Sequence, residues 1–226
     1  MSIHLNDRKK IIFCSYRTWS NEILEDLRQH FGQNFEHVAD KESFDKISNS
    51  LLNRVIILAG WSWYIPKNVI NNNTVVGLHP SDLPHYAGGS PIQNQIIDGI
   101  VRSKMSLFEL NSEFDRGDII DKQDLSLDGN MTDIFQNLRR AGTDLLKSFI
   151  EKFPDYTKAP QQNHQEHVRR LKHTDSMISS AQIQNMTARE LYDFIRCRED
   201  PYPNVYLEDH TGRVYFKKVH FESKIV

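Results

Sequence analysis

The sequence predicts an α/β protein, a mostly parallel sheet flanked by helices, carrying a small α+β appendage at its C-terminal end. Three observations carry this. Short apolar runs of strand length alternate with segments of helical periodicity as far as about residue 150. Residues 54–60 are almost wholly apolar, as a strand buried on both faces is. The last fifty or so residues then hold a single capped helix and two short strands around a His-Thr-Gly turn.

Taken in order, residues 10–16 read as the first strand. Residues 19–31 read as a helix, because Ile23, Leu24, Leu27 and Phe31 recur at helical spacing. Residues 54–60 and 74–78 are the next strands. The Pro- and Gly-rich run 79–91 is a loop at a strand end, and Pro91 suits the first turn of a helix over 91–97. A strand over 104–110, a polar loop with Asp115, Gly117 and Asp118, and a strand-like stretch 119–127 follow. A long helix over 131–153 carries Ile134, Phe135, Leu138, Leu145, Leu146 and Phe149 on one stripe. Residues 154–173 are polar and read as a linker crossing the surface. Beyond it, Thr187 and Glu190 form a capping box ahead of Leu191, Phe194 and Ile195, and Pro201-Tyr202-Pro203 stops that helix. Strands over 205–208 and 214–220 complete a hairpin. The expected organisation is a core of residues 1–153, a linker 154–173 and a C-terminal subdomain 174–226.

Composition narrows the function classes. A chain of 226 residues buries about 70% of its unfolded surface and needs no staples. Cys14 and Cys197 are far apart and read as packing residues in a reducing compartment. The first fifteen residues hold no apolar signal core, and the longest apolar run, 55–61, is far below the ~20 residues of a membrane span. A cytoplasmic location without membrane insertion is expected. A net charge of −2 and a pI near 6.5 argue against a domain built to hold a nucleic-acid backbone. Asn130-Met131-Thr132 and Asn185-Met186-Thr187 match glycosylation sequons by chance in such a setting. His164 and His167 flank Glu166 in the polar segment and read as solvated, and no zinc-type spacing is present.

In open α/β sheets ligands bind outside the carboxyl ends of the strands, where residues 61–66 and 79–89 fall. His79 follows a buried strand and precedes Pro80, and Asp115 precedes Arg116-Gly117. Each alone reads more readily as a structural residue, His79 as a hydrogen-bonded strand end and Asp115 as an Asx turn. Together they supply a proton shuttle and an oriented donor for an oxyanion, the two needs of acyl transfer to an amine.

The run Gly77-Leu78-His79-Pro80-Ser81-Asp82-Leu83-Pro84-His85-Tyr86-Ala87-Gly88-Gly89-Ser90-Pro91-Ile92, with Phe114-Asp115-Arg116-Gly117-Asp118-Ile119-Ile120 downstream, resembles the folate-dependent formyltransferase family. That family includes methionyl-tRNA formyltransferase, glycinamide ribonucleotide transformylase and the sugar N-formyltransferases. The resemblance covers residues 10–150 well and 191–206 more loosely. It implies a Rossmann-like core and N10-formyltetrahydrofolate as donor. It implies that His79 polarises the formyl group and manages a proton, and that Asp115 orients His79. It places Ser62, Trp63, Tyr64 and Ile65 against the pterin, Asn111 and Phe114 on the opposite side, and Leu83 and Pro84 among the cofactor contacts. Tyr86, Gly88, Gly89 and Gly77 fall on the acceptor side. For Trp63 and Tyr64, plain aromatic packing against the sheet edge is an equal alternative.

The family carries an asparagine two residues before the histidine, where this chain has Gly77. Residues 77 and 79 share a face of the strand, so Gly77 is expected to leave a gap beside His79 for water or substrate. Losing one oxyanion donor lowers a rate by about 10²- to 10³-fold unless another replaces it, and Asn73 and Ser81 are the nearest candidates in sequence. For the acceptor, only about fifty residues follow the linker, against the larger basic domain that the resemblance assigns to methionyl-tRNA formyltransferase. A nucleotide-linked amino sugar is the preferred acceptor, with Arg169, Arg170 and Lys172 either pairing with its diphosphate or simply solvated. Alternatives are formylation of an aminoacyl group on tRNA or a carrier, and a folate-binding protein whose turnover went with the asparagine. The oligomeric state is open, a homodimer being one option.

Overall fold

The computed structural model describes residues 11–163 and 165–224. The expected strand residue Lys10, the first nine residues of the stretch read as lacking a signal core, and His164 lie outside these. Six strands form one sheet in the order β2-β1-β3-β4-β5-β6. They are β1 (Ile11–Cys14), β2 (Phe35–Val38), β3 (Val55–Ala59), β4 (Thr74–His79), β5 (Arg102–Glu109) and β6 (Ile119–Ser126). The first four run parallel, while β5 and β6 pair antiparallel at one side. The sheet is mostly parallel, as the alternating pattern predicts.

Helices cover both faces. The side chains of β1 alternate between them, Ile11 and Phe13 joining one core cluster and Ile12 and Cys14 the other. The larger cluster is sealed by α1 (Thr18–Phe31) and the long α5 (Met131–Lys152), the smaller by α2 (Lys41–Ser48) and α3 (Lys67–Asn72). Asn130, half of one chance sequon, caps α5 by accepting from the amides of Thr132 and Asp133. Both strand β2 and helices α2 and α3 lie where no element was predicted. Phe-Glu-His-Val is short and only its ends are buried, so its period is too weak to read. Its consequence is topological: the chain steps left from β1 to β2 and returns to β3 on the other side of β1, which puts the switch point of the sheet at the ends of β1 and β3.

After α4 (Pro91–Ile97), β5, β6 and α5, residues 154–173 do not simply cross solvent. Val168 pairs with Gly88, its amide donating to Ala87 O at 2.8 Å and its carbonyl accepting from Gly89 N at 2.9 Å. Ala159 and Ile119 exchange two backbone hydrogen bonds at 2.8 Å. A 3₁₀ turn (His173–Ser176) and α6 (Ser180–Asn185) lead to α7 (Ala188–Arg196), whose predicted Thr187–Glu190 capping box is formed. The hairpin is β7 (Val205–Asp209) and β8 (Gly212–Phe216), packed with Ile178 and Ile195 in a small cluster of its own. Arg196 nonetheless reaches into the main body, donating to Leu127 O and Gly129 O at 2.7 Å each.

Among the described residues no helix is long and apolar enough to cross a membrane. Both cysteines are fully buried. Burial, reinforced by Glu36, pushes the Cys14 thiol far up from its ordinary range. Burial also raises Cys197 to about 11 against the opposing pull of Arg198 and Arg196. Neither supplies thiolate in the folded protein. At mildly alkaline pH a thiol-reactive aromatic disulfide is expected to leave the native protein unlabelled and to titrate both cysteines in urea, the absorbance of the released thiolate being the readout.

Candidate active site

The carboxyl ends of β1, β3 and β4 open into one cavity of about 260 Å³. His79 is the last residue of β4, so its position is fixed by the sheet ladder and its ring by what the following loop presents. Tyr86 adopts a positive φ of 55° and turns its carbonyl to His79 Nε2 at 3.0 Å. A carbonyl only accepts, so the contact fits a ring with its proton on Nε2, and in the neutral form of that tautomer Nδ1 holds the lone pair. Nδ1 faces Asp115 Oδ2 at 3.6 Å, past hydrogen-bond reach but close enough to close with a small shift, and both side chains are nearly buried.

Asp115 is held from three sides. Its φ is +52°, and the turn before it is tied by Asn111, whose side chain accepts from Glu113 N at 2.8 Å and donates to Arg116 O at 3.2 Å. The amide of Gly88 donates to Asp115 Oδ2 at 3.0 Å. Buried Gln161, from the expected linker, donates one amide nitrogen to Asp115 O at 2.9 Å and to Gly117 O at 2.8 Å. Gly88 is required here: at φ +118° an added Cβ would lie 2.4 Å from Val168 O. Gln161 therefore braces the Asp115 loop and Val168 the loop that follows His79.

The sequence-predicted residues divide into two groups. Ser62, Trp63, Tyr64, Asn111, Phe114, Gly77 and Gly88 line the cavity with His79 and Asp115. Trp63 packs 4.7 Å from Tyr16 and 4.6 Å from Trp61, while Ser62 shares a 2.7 Å hydrogen bond with the Tyr16 hydroxyl. Tyr64 and Phe114 are 68% and 60% exposed at the rim. Ile65 also borders the cavity but is buried in the smaller core cluster. Leu83, Pro84, Tyr86 and Gly89 do not line it. Leu83 is buried with Ala87 and Phe108 beneath the loop. The Tyr86 hydroxyl donates to Asp98 at 2.9 Å, and burial together with that carboxylate raises it to about 12. Gly89 is covered by Arg170, whose Cα would sit 2.5 Å from a Cβ placed there.

The gap expected at Gly77 is closed. Gly77 pairs with Phe108 across β4 and β5, and an added Cβ would meet the Phe108 ring at 3.0 Å and Leu110 Cδ1 at 3.1 Å. Neither nearby donor replaces an asparagine there. Asn73, at the far end of β4, donates to Leu51 O and Val69 O, and the Ser81 hydroxyl donates to His85 O at 2.6 Å. Gly77→Asn is expected to cost about 1–3 kcal/mol by overpacking, read as a lower denaturant midpoint, and Phe108→Ala in the same chain to recover part of it.

Sequence reasoning missed Arg17, Gln93, Gln161 and Tyr202. Arg17, Gln93 and Tyr202 line the cavity. The first could have been found from the switch point had β2 been recognised; Gln161 had no sequence signal within a polar run. Of the three basic residues 169, 170 and 172, Arg169 is committed to a two-point pair with Asp175 at 2.7 and 2.9 Å, and only Arg170 lines the cavity.

Residues 20–148 match the family profile described as Formyl transferase. Methionyl-tRNA formyltransferase of Sulfurimonas denitrificans is 27% identical over 188 residues, which is 82% of this chain and 59% of that protein. This chain thus spans about three fifths of that relative. Methionyl-tRNA formyltransferase from Clostridium thermocellum superposes with a TM-score of 0.83 at 26% identity, over 95% of this chain and 94% of that one. A 4-N formyltransferase from Francisella tularensis shares the fold at a TM-score of 0.76 and 18% identity, over 96% of this chain and all of that one. With more than half of its length matched by the profile around the His79 and Asp115 loops, the chain belongs to the formyl transferase family of group-transfer enzymes.

Proposed function

We propose that the chain transfers a formyl group from N10-formyltetrahydrofolate to a primary amine, and that the amine belongs to a nucleotide-linked amino sugar. The observation that carries this is the His79–Asp115 pair facing one cavity at the carboxyl ends of the strands. The residues suit a folate. The Trp61 indole N–H is buried without a partner among the described residues, and a wall of residues 110–114 lies in the same cavity, a setting for a flat heteroaromatic ring with donors and acceptors on its edges. When bound, the folate supplies the formyl group.

The remaining chemistry belongs to the chain. His79, with Nε2–H fixed on Tyr86 O, would take the proton of the attacking amine at Nδ1 and return it to the donor nitrogen as the bond from that nitrogen to the formyl carbon breaks, the Asp115 carboxylate stabilising the imidazolium in between. Negative charge on the formyl oxygen is met by donors of the cavity wall rather than by residue 77, which has no side chain. The core of this reading is residues 1–153, with 154–173 as its brace and 174–226 as a C-terminal subdomain.

For the acceptor, aromatic residues Trp63 and Tyr202 and the basic residue Arg170 along the cavity support a phosphate-bearing sugar. A second reading, a methionyl group on tRNA, is favoured by the names of the sequence relatives. Incubation with 10-formyltetrahydrofolate and separate panels of nucleotide-linked amino sugars and charged initiator tRNA, followed by mass spectrometry, decides between them. A gain of one formyl mass on a sugar that disappears in His79→Ala supports the proposal. A gain on tRNA alone overturns the acceptor, and folate binding without turnover on either panel overturns the catalytic assignment.

A further inference from the structure

Arg17 follows β1 at the switch point of the sheet, and its side chain lines the cavity that holds His79. Other guanidiniums of this protein find carboxylates: Arg139 pairs with Asp26, Arg169 with Asp175 and Arg196 with Asp193. Arg17 meets none within ion-pair distance among the described residues. Its guanidinium lies instead over the Tyr16 ring at 4.7 Å and 5.8 Å from the centre of the Tyr202 ring. Stacking of this kind fixes the plane of the fork and leaves its N–H edge free for a two-point acceptor.

A second donor stands beside it. Gln93 is buried, and its amide nitrogen meets no acceptor at hydrogen-bond geometry, with the Tyr202 hydroxyl as its polar neighbour. Buried donors are normally satisfied, and a hydroxyl held off ideal geometry satisfies this one poorly, so a ligand acceptor in the cavity that Gln93 lines would serve it better. Arg170, which covers Gly89, also lines this cavity, and its guanidinium makes no ion pair among the described residues. The carboxylates that line the cavity are Glu113 and Asp115, both on the segment that follows β5; Glu113 lies 4.0 Å from Arg116 and Asp115 takes the Gly88 amide. The end formed by Arg17, Gln93 and Tyr202 is thus rich in donors and, among the described residues, contains no acid.

We infer that Arg17, with Gln93 and Arg170, binds a phosphate group of the amine acceptor. This rests on the formyl-transfer reading and narrows it to acceptors that carry phosphate close to the amine-bearing ring. Arg17 acts as a specificity residue: a bidentate guanidinium gives position as well as affinity to a phosphate, and lysine reproduces only the charge.

The test separates anion binding from turnover. Tryptophan fluorescence of the full chain is titrated with inorganic pyrophosphate, with dTDP and with 5-formyltetrahydrofolate, for the wild type, Arg17→Gln and Arg17→Lys, with circular dichroism confirming that each variant is folded. The expected result is that Arg17→Gln weakens both phosphate probes by at least about tenfold, Arg17→Lys by less, and the folate not at all. Turnover, measured separately on a phosphate-bearing acceptor, should show KM raised by a similar factor with kcat nearly kept, a split that a general loosening of the loop would not give. Loss of folate affinity with the phosphate probes unchanged would assign Arg17 to the donor and overturn the inference. So would equal binding of pyrophosphate by all three proteins, or no binding of it by the wild type. Pyrophosphate binding that depends on Arg17 in a protein that formylates nothing supports the anion site while sinking the formyl-transfer reading.

Discussion

His79→Ala lowers single-turnover formyl transfer by about 10²- to 10⁴-fold while the affinity for 5-formyltetrahydrofolate stays within a small factor of the wild type. The expectation follows from how the ring is held. Its Nε2 is engaged by Tyr86 O at 3.0 Å, and Nδ1 is left facing Asp115 at 3.6 Å, so the side chain has one free basic atom and one anion placed to stabilise the protonated ring. Alanine removes the base and leaves the Asp115 carboxylate facing the Gly88 amide. Asp115→Asn is the companion variant: its side-chain oxygen still accepts from Gly88, but the charge beside Nδ1 is gone, so kcat should fall more than KM rises. Stopped-flow absorbance of folate release measures both. Unchanged rates in His79→Ala would remove His79 from the chemistry and leave it as a strand-end structural residue.

The largest loss of stability is expected away from the cavity. Asp193→Ala should cost about 3–5 kcal/mol, because it strips a buried guanidinium of its carboxylate. Arg196 is 1% exposed; its Nε donates to Asp193 at 2.5 Å and its Nη1 to the carbonyls of Leu127 and Gly129. Those carbonyls immediately precede α5, and Glu199 accepts from Met131 N at 3.1 Å in the same place. The pair therefore fastens α7 to the N-terminal end of the longest helix, and its loss frees both. A denaturant titration gives the magnitude. Asp193→Leu combined with Arg196→Met should lose less than the single change, since removing both charges leaves neither buried alone. A double variant as unstable as the single one would mean that the two carbonyl contacts, rather than the ion pair, hold this junction.

Residue pattern revealed much of the scaffold because its strands are buried on both faces and its helices carry broad apolar stripes. Strands β1, β3 and β4, helices α1, α5 and α7, the capping box at Thr187 and the C-terminal hairpin were all legible in this way. Elements with weak periods were not. Strand β2 has only two buried residues and α3 spans a single short stretch, so the reversal of strand order, and with it the place of Arg17, stayed hidden.

The candidate site was legible in part for a related reason. His79 and Asp115 lie in runs whose residue types are constrained by tight turns, so their identity could be read from the chain. Which neighbours surround them could not. Gly77 alone implies an empty space, yet the Phe108 ring fills it from a strand thirty-one positions away. The polar segment 154–173 looks like a solvated linker, yet Gln161 and Val168 from it brace the two loops that hold the site. By itself the sequence determined the fold class, the family motifs and the identity of the facing pair, because these depend on local periodicity and turn chemistry. Only the tertiary structure decided what fills Gly77, what holds Asp115 and where the unpaired donors gather, because those depend on contacts between residues that the chain keeps far apart.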